Sequence, residues 1–303
     1  MIASFFYRVC VFQGRTVAFR ILSKRRLSGN VFSAEIEAPL VARARKPGQF
    51  VIVGVSNDYG ERIPLTIADA DPERGCIRII WQRVGKTTAE LVELQVGDAL
   101  PVVVGPLGRS THIEQFGLVV CVGGGIGCAP LLPIVNALKA AGNAIVSIIG
   151  SRTADMLILE QEFRDASDEL IVVTDDGSYG TKALVTEPLD QVCLRNPAPD
   201  QAFAIGPAIM MKCCCEITKK YGIPTQVSLN TIMVDGTGMC GGCRVEIDGE
   251  PKFVCVDGPE FDGHKVNFDL MMKRLEFYRT QEKEAYDRYK HECKLDQAGR
   301  DMK

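Results

Sequence analysis

Four side chains between positions 235 and 255 have the types and spacing to hold an inorganic centre. The stretch reads DGTGMCGGCRVEIDGEPKFVC, with Cys240 and Cys243 two residues apart and Cys255 after eleven more. Thiolates are soft ligands suited to iron–sulfur clusters and zinc. The run CRVEI and the turn DGEP that follows it have the pattern of a hairpin, which would fold the third cysteine back onto the first two. Gly236, Gly238, Gly241 and Gly242 let a backbone wrap such a centre closely, with positive φ where the wrapping needs it.

Counting back past four residues from Cys240 reaches Asp235. The spacing is that of plant-type two-iron two-sulfur ligation, C-x4-C-x2-C with a distant fourth cysteine, but with a carboxylate in the first place. Asp235, Cys240, Cys243 and Cys255 are therefore the candidate metal ligands. On this stretch alone two other readings stay open. Three cysteines and an oxygen ligand also suit a structural zinc ion, and Asp235-Gly236 also suits a plain turn.

The elements that must position this centre come before it. A chain of 303 residues is long enough for two domains with proper cores. It is 46% hydrophobic and 24% charged with a formal net charge of -3, which recommends neither nucleic acid nor an anionic membrane as a partner. Twelve cysteines in a large chain without an export signal argue for reduced thiols and a cytoplasmic setting rather than a disulfide scaffold. The apolar start from Met1 to Phe12 is broken by Arg8 and reads as an extra arm or an upstream start, and no run is long enough to span a bilayer. Lys24-Arg25-Arg26 reads as a solvated turn. Cys213-Cys214-Cys215 reads as part of a buried helix, because adjacent helical residues point about 100° apart and cannot chelate as a set.

From Thr16 to Leu107 six short apolar runs alternate with Gly, Pro and Asp turns, the pattern of a small antiparallel barrel. Two stretches in it could do chemistry. One is Arg62-Ile63-Pro64-Leu65-Thr66-Ile67. The other is Trp81 to Thr88, running into the helical segment AELVEL with Thr87 or Thr88 as N-cap. Glycine and hydroxyl residues at a helix start offer free backbone N–H groups to a phosphate. The letters GKTT are not a Walker A loop, since that motif needs glycine where this chain has Ile80.

From Phe116 strands and helices alternate, which predicts a doubly wound parallel sheet of about five strands with its ligands at the carboxyl ends. GGGIGCAP follows the first strand, LVVCV. It departs from G-x-G-x-x-G at Cys128, yet crowded glycines before a helix still admit a pyrophosphate close to the backbone. Asp175-Asp176-Gly177-Ser178 and Gly206-Pro207 fall at two further strand ends on the same edge. Arg152, beyond the second strand, suits NAD or NADP. After the cysteines, VDGPEFDGHKVNF reads as loop, and Phe268 to about Lys294 as a helix whose end is heavily charged. His264 and His291 are given no role.

RIPLTIAD, DDGSYG, MVDGTGMCGGCRV and CVDGPEFDGH together resemble the ferredoxin reductase superfamily. Within it the chain is similar to electron-transfer subunits of dihydroorotate dehydrogenase and, more closely, to the small subunit of NADH-dependent reduced ferredoxin:NADP oxidoreductase, the FAD/NAD-binding subunit of sulfide dehydrogenase. The likeness covers roughly residues 17 to 280. It implies five segments: an arm (1–15), an FAD-binding barrel (16–110), an NAD(P)-binding α/β domain (111–228), a 2Fe–2S segment (229–264), and a C-terminal helix with a charged tail (265–303). It also implies FAD near Arg62, Pro64, Leu65 and Thr66, with Trp81, Gly85, Thr87 and Thr88 around its ribityl and pyrophosphate groups. The superfamily's arginine stands three before the hydroxyl residue, where this chain has Ile63, so Arg62 is displaced by one. NAD(H) would face Gly124, Gly125, Gly127, Asp175 and Gly206.

Dihydroorotate-type subunits resemble the cluster stretch but carry cysteine in place of Asp235, and an aspartate there looks like the electron-bifurcating transhydrogenase branch. The resemblance implies an oxidoreductase subunit with no acid–base residue, passing electrons from NADH through FAD and a 2Fe–2S cluster to a larger flavin and iron–sulfur subunit of a heterodimer. That partner would handle NADP and ferredoxin. A dihydroorotate dehydrogenase relay running toward NAD, and a zinc-stabilised binding module without redox activity, are the alternatives.

Overall fold

The computed structural model describes residues 11–12, 15–16, 19–56 and 61–301, and the expected arm at 1–15 lies largely outside them. β1 (Val11–Phe12) and β2 (Arg15–Thr16) form a short antiparallel pair. Then come β3 (Phe19–Arg26), β4 (Val31–Glu37), α1 (Pro39–Ala44), β5 (Phe50–Gly54), β6 (Arg62–Asp71), β7 (Cys76–Gln82), α2 (Lys86–Glu93), β8 (Ala99–Leu100) and β9 (Val102–Leu107). The seven strands from β3 to β9 make one antiparallel sheet in the order β8-β3-β4-β7-β6-β5-β9, curled as an open barrel.

β5, FVIVG, is buried along its whole length because its two faces serve different cores. Val51 and Val53 point into the barrel with Trp81, Ile67 and Ile79. Phe50 and Ile52 point outward and join Met233, Cys243 and Cys255. Alternation along one strand thus joins the barrel to the cysteine segment.

Lys24-Arg25-Arg26 is not the solvated turn expected; it ends β3, and each head is engaged. Lys24 Nζ donates to the Val92 carbonyl and, at 2.6 Å, to that of Leu94, closing the last turn of α2 where a cation is favoured. Arg25 reaches Glu162 at 3.7 Å, as Arg78 does at 3.5 Å, and Arg26 binds the carbonyls of Ser28 and Gly29.

The second layer runs β10 (Leu118–Gly124), α3 (Cys128–Ala140), β11 (Ala144–Ser151), α4 (Glu160–Ala166), β12 (Glu169–Thr174), β13 (Thr181–Lys182), α5 (Thr186–Cys193), β14 (Gln201–Ile205), α6 (Ala208–Lys220) and β15 (Thr225–Ser228). Strand order is β13-β12-β11-β10-β14-β15, with β18 (Glu260–Asp262) outside β15, parallel except for that last pair. Residues 119 and 121 of β10 face the core that holds Leu131 and Leu138, and 120 and 122 face the core that holds Met211 and Cys214. A strand covered on both sides reads as a continuous apolar run. The segment ADMLILEQEF makes a 3-10 turn at Ala154–Met156 and is α-helical only from Glu160, because Leu159 takes φ 62° and a left-handed residue cannot continue a helix.

The remainder contains β16 (Arg244–Ile247), β17 (Glu250–Phe253), α7 (Val254–Asp257), β18 (Glu260–Asp262), α8 (Phe268–Leu275) and α9 (Arg279–Asp301). β16 and β17 form the expected hairpin, turned by Asp248 and Gly249 at φ 54° and 77°, the backbone that two-residue hairpins require. The run VDGPEFDGHKVNF is not all loop, since β18 lies within it and pairs antiparallel with β15. The expected single C-terminal helix is two, with α8 ending at Leu275. Cys214 and Cys215 are buried on α6. No helix among the described residues is long and apolar enough to cross a membrane.

Candidate functional site

The four candidate ligands fall into two pairs. Cys240 Sγ lies 3.2 Å from Asp235 Oδ1, and Cys243 Sγ lies 3.3 Å from Cys255 Sγ. The second spacing is too long for a disulfide, whose bond is about 2.05 Å. Asp235 also makes the turn that its sequence suggests, accepting from Thr237 Oγ1 at 2.9 Å and the Met239 N–H at 3.1 Å. Burial works to raise the pKa of Asp235, but hydrogen bonds from the Cys240 thiol, Thr237 and Met239 outweigh it and hold it at about 2. Burial, then the neighbouring Cys243, push the Cys255 thiol up to about 12. Two buried thiols in contact are poor anions on their own and become thiolates only beside a cation.

In a two-iron cluster each iron takes two protein ligands, and two pairs suit that. Backbone N–H groups reach the sulfurs, from Gly242 to Cys240 at 3.4 Å and from Cys255 to Cys243 at 3.5 Å. Such hydrogen bonds are one lever on cluster potential. Cys243 and Cys255 are 1% exposed while Cys240 lies at the surface, beside a groove of about 280 Å³ also lined by Arg244, Arg274, Phe277 and Tyr278.

This loop is seated on the barrel. Gly236 takes φ 73°, and a Cβ there would lie 2.7 Å from Ile52 and 2.9 Å from Leu107. Ile52 pairs with Pro64, Val51 with Leu65, Phe50 with Thr66 and Gly54 with Arg62. The loop therefore rests on the strand next to the one carrying RIPLT, and neighbouring strands are about 4.8 Å apart. Pro64, Leu65 and Thr66 are half-buried and Arg62 is exposed.

At the start of α2 the expected hydroxyls are already engaged. Thr87 Oγ1 donates to Glu61 at 2.6 Å. Thr88 Oγ1 accepts from the N–H of Gly85 at 2.9 Å and of Val84 at 3.1 Å, and donates to the Gly85 carbonyl at 2.9 Å. Backbone N–H groups early in α2 are what this end presents to an anion. Trp81 is a correction: its ring is 1% exposed in the barrel core, stacked on Phe32 at 5.9 Å, and cannot line a ribityl chain. Its Nε1 is buried without a partner.

The glycines of the sheet domain meet at one place. β10 and β14 are neighbours, and successive connections leave them toward opposite sides, so Gly124 and Gly206 flank the switch point where such sheets bind ligands. A Cβ on Gly127 would lie 2.3 Å from the Ile205 carbonyl, and one on Gly124 would lie 2.3 Å from Met210 Sδ. Gly125 takes φ 54° in the turn. Asp175 lies on the same edge but two strands away, exposed beyond β12.

Sequence reasoning did not find the junction between residues 108–111 and 256–260. The Arg109 N–H donates to the Gly258 carbonyl at 2.6 Å, Arg109 Nε to that of Val256 at 3.1 Å, and its guanidinium lies 3.6 Å from Asp257. Thr111 Oγ1 donates to Glu260 Oε1 at 2.6 Å. Separations of about 150 positions leave no local signal.

Residues 230–267 match the family model for the iron–sulfur cluster binding domain of dihydroorotate dehydrogenase B. Over 276 residues the chain is 49% identical to the dihydroorotate dehydrogenase B (NAD(+)) electron transfer subunit homolog of Thermotoga maritima, covering 91% of this chain and 97% of that protein. The chain belongs to the dihydroorotate dehydrogenase B electron-transfer subunit family. The electron transfer subunit from Geobacillus thermodenitrificans is 35% identical, with 81% of this chain and 96% of that one covered. A solved chain from work on flavin-based electron bifurcation by NADH-dependent reduced ferredoxin–NADP oxidoreductase is 48% identical, with a TM-score of 0.85 over 91% of this chain and 99% of its own. As a member of this family the chain is an oxidoreductase's electron-transfer subunit, with the antiparallel half-barrel and parallel α/β sheet of ferredoxin reductase-like proteins. Its cofactors are FAD, NAD(H) and a 2Fe–2S cluster.

Proposed function

We propose that the chain is the NADH-side relay of an electron-bifurcating NADH-dependent ferredoxin:NADP oxidoreductase. The observation that carries this reading is the Asp235–Cys240 pair, at 3.2 Å, in the ligand place where dihydroorotate-type subunits have two cysteines. The full-length likeness to the solved bifurcating enzyme supports it.

In this reading Pro64, Leu65 and Thr66 hold the isoalloxazine, with Arg62 and the first N–H groups of α2 toward the pyrophosphate. Gly124, Gly125, Gly127 and Gly206 admit the nicotinamide half of NADH, and Asp175 faces its far end. Asp235, Cys240, Cys243 and Cys255 hold the cluster. When bound, the flavin supplies hydride acceptance and single-electron release, and the cluster carries one electron onward. The chain's own part is orientation: Ile52 and Leu107 pack under the cluster loop at Gly236, Ile52 on the strand beside RIPLT. No side chain need move a proton.

The partner, a larger flavin and iron–sulfur subunit handling NADP and ferredoxin, would dock over Cys240. Met239 and Phe277 are 85% and 74% exposed there, with Val234 and Tyr278 beside them, and apolar side chains grouped on a surface mark contact sites. The setting in this reading is cytoplasmic.

The test is the native complex, purified anaerobically through a tag on this chain. NADP reduction that requires NADH and reduced ferredoxin together supports the reading. NAD reduction at the expense of dihydroorotate would replace it with the dihydroorotate dehydrogenase relay, which the names of the curated relatives favour.

A further inference from the structure

We propose that Arg109 is a positioning residue for the cluster, fastening the turn that carries Cys255 and setting the cluster's potential by its charge. The inference rests on the cluster reading above. α7 is a single turn, Val254–Asp257, and Cys255 is inside it. A helix of one turn leaves most of its carbonyls without an internal partner. Arg109, from the connection between barrel and sheet domain, supplies three contacts there: its N–H to the Gly258 carbonyl, its Nε to the Val256 carbonyl, and its guanidinium facing Asp257. The Val256 carbonyl is on the residue next to the ligand.

The connection itself is held in place. Gln49 Nε2 donates to the Gly108 carbonyl at 2.9 Å, and a Cβ on Gly108 would lie 2.9 Å from Phe50 and 3.0 Å from Pro259. Arg109 is thus aimed by the same strand, β5, on which the cluster loop is seated.

Charge gives the second half of the argument. Three thiolates and a carboxylate leave an oxidised two-iron centre net negative, and one-electron reduction adds a further negative charge. Held on the carbonyl of the residue after Cys255, the guanidinium favours the reduced form, its charge partly offset by Asp257 at 3.6 Å, and net charge is among the determinants of cluster potential. The exposed side of the guanidinium, which is 71% exposed, faces solvent, so the effect is moderate.

The experiment is a redox titration, followed by the electron paramagnetic resonance of the reduced cluster, on the full chain and on Arg109→Lys, Arg109→Gln and Arg109→Glu. Glutamine keeps a donor for the Val256 carbonyl without the charge. At a fixed poise the oxidised:reduced ratio should rise about three- to tenfold in Arg109→Gln and further in Arg109→Glu, a tenfold change being about 59 mV for one electron. Arg109→Lys should stay within about threefold of the parent. Equal ratios in Gln and parent, or a Lys variant displaced as far as Gln, overturn the proposal. A variant that loses its iron is replaced in the series by Arg109→Ala, and the order of potentials among the iron-bearing variants decides. A parent chain without iron and labile sulfide would fail the cluster reading itself.

Discussion

Gly236 lies against Ile52 so closely that a single added carbon would come within 2.7 Å of the isoleucine side chain. This contact joins the cluster loop to the barrel strand whose neighbour carries RIPLT. Gly236→Ala therefore meets two penalties, a steric one and about 1–2 kcal/mol for a left-handed backbone. The expected result is loss of most of the iron with flavin retained, read by iron analysis and visible absorbance. Full iron content would mean that the loop has room to rise off β5.

Asp235 gives a prediction about ligand chemistry. Its carboxylate is ionised throughout the working range and lies 3.2 Å from Cys240 Sγ. Asp235→Ala should lose or scramble the cluster's paramagnetic signal. Asp235→Cys should keep a cluster with a shifted potential, because ligand type is one of the levers on it. An unchanged spectrum in Asp235→Ala would move the fourth ligand elsewhere and leave Asp235 as a turn residue.

What the sequence discloses here follows how local each feature is. The grouping of the four candidate ligands was legible because Asp235, Cys240 and Cys243 sit within nine positions, and because a two-residue turn with positive φ at Asp248 and Gly249 returns Cys255 to Cys243. Trp81 was misread because its face depends on the register of β7 against β4, Phe32 opposite Trp81, and nothing in QRVGKTT reports that register. Thr87 or Thr88 reads as the N-cap of α2, yet the N-cap is Gly85, with Thr88 three residues on bonded back to its N–H and Thr87 meeting Glu61. β18 escaped notice because three strand residues sit among turn formers. The contacts of Arg109 and Thr111 with residues 256–260 are purely tertiary.

Gly127 tests the nucleotide cleft separately from the cluster. A Cβ there would lie 2.3 Å from the Ile205 carbonyl and 2.7 Å from Gly206, both backbone, so the turn between β10 and α3 would have to move. Gly127→Ala should slow reduction of bound flavin by NADH at least tenfold, since small misplacements of reacting groups are costly. Its flavin and cluster spectra should be unaltered. Stopped-flow reduction measures this, and a wild-type rate would take the nicotinamide away from this turn.

Glu260 predicts how stability varies with pH. Its carboxyl is turned inward, bonded to Thr111, and burial raises its pKa from 4.5 to about 7. The folded state therefore holds the proton more tightly than the unfolded state does. The stabilisation is fully present below about pH 4.5 and is lost as pH rises through 7, amounting to about 3 kcal/mol between those limits at 1.36 kcal/mol per unit. Glutamine keeps an acceptor for Thr111 and cannot ionise. The urea midpoint of the parent chain should fall between pH 5.5 and 8 by more than that of Glu260→Gln, which should be the more stable of the two at pH 8. Parallel pH profiles would show that water or a neighbouring cation reaches this carboxyl in solution.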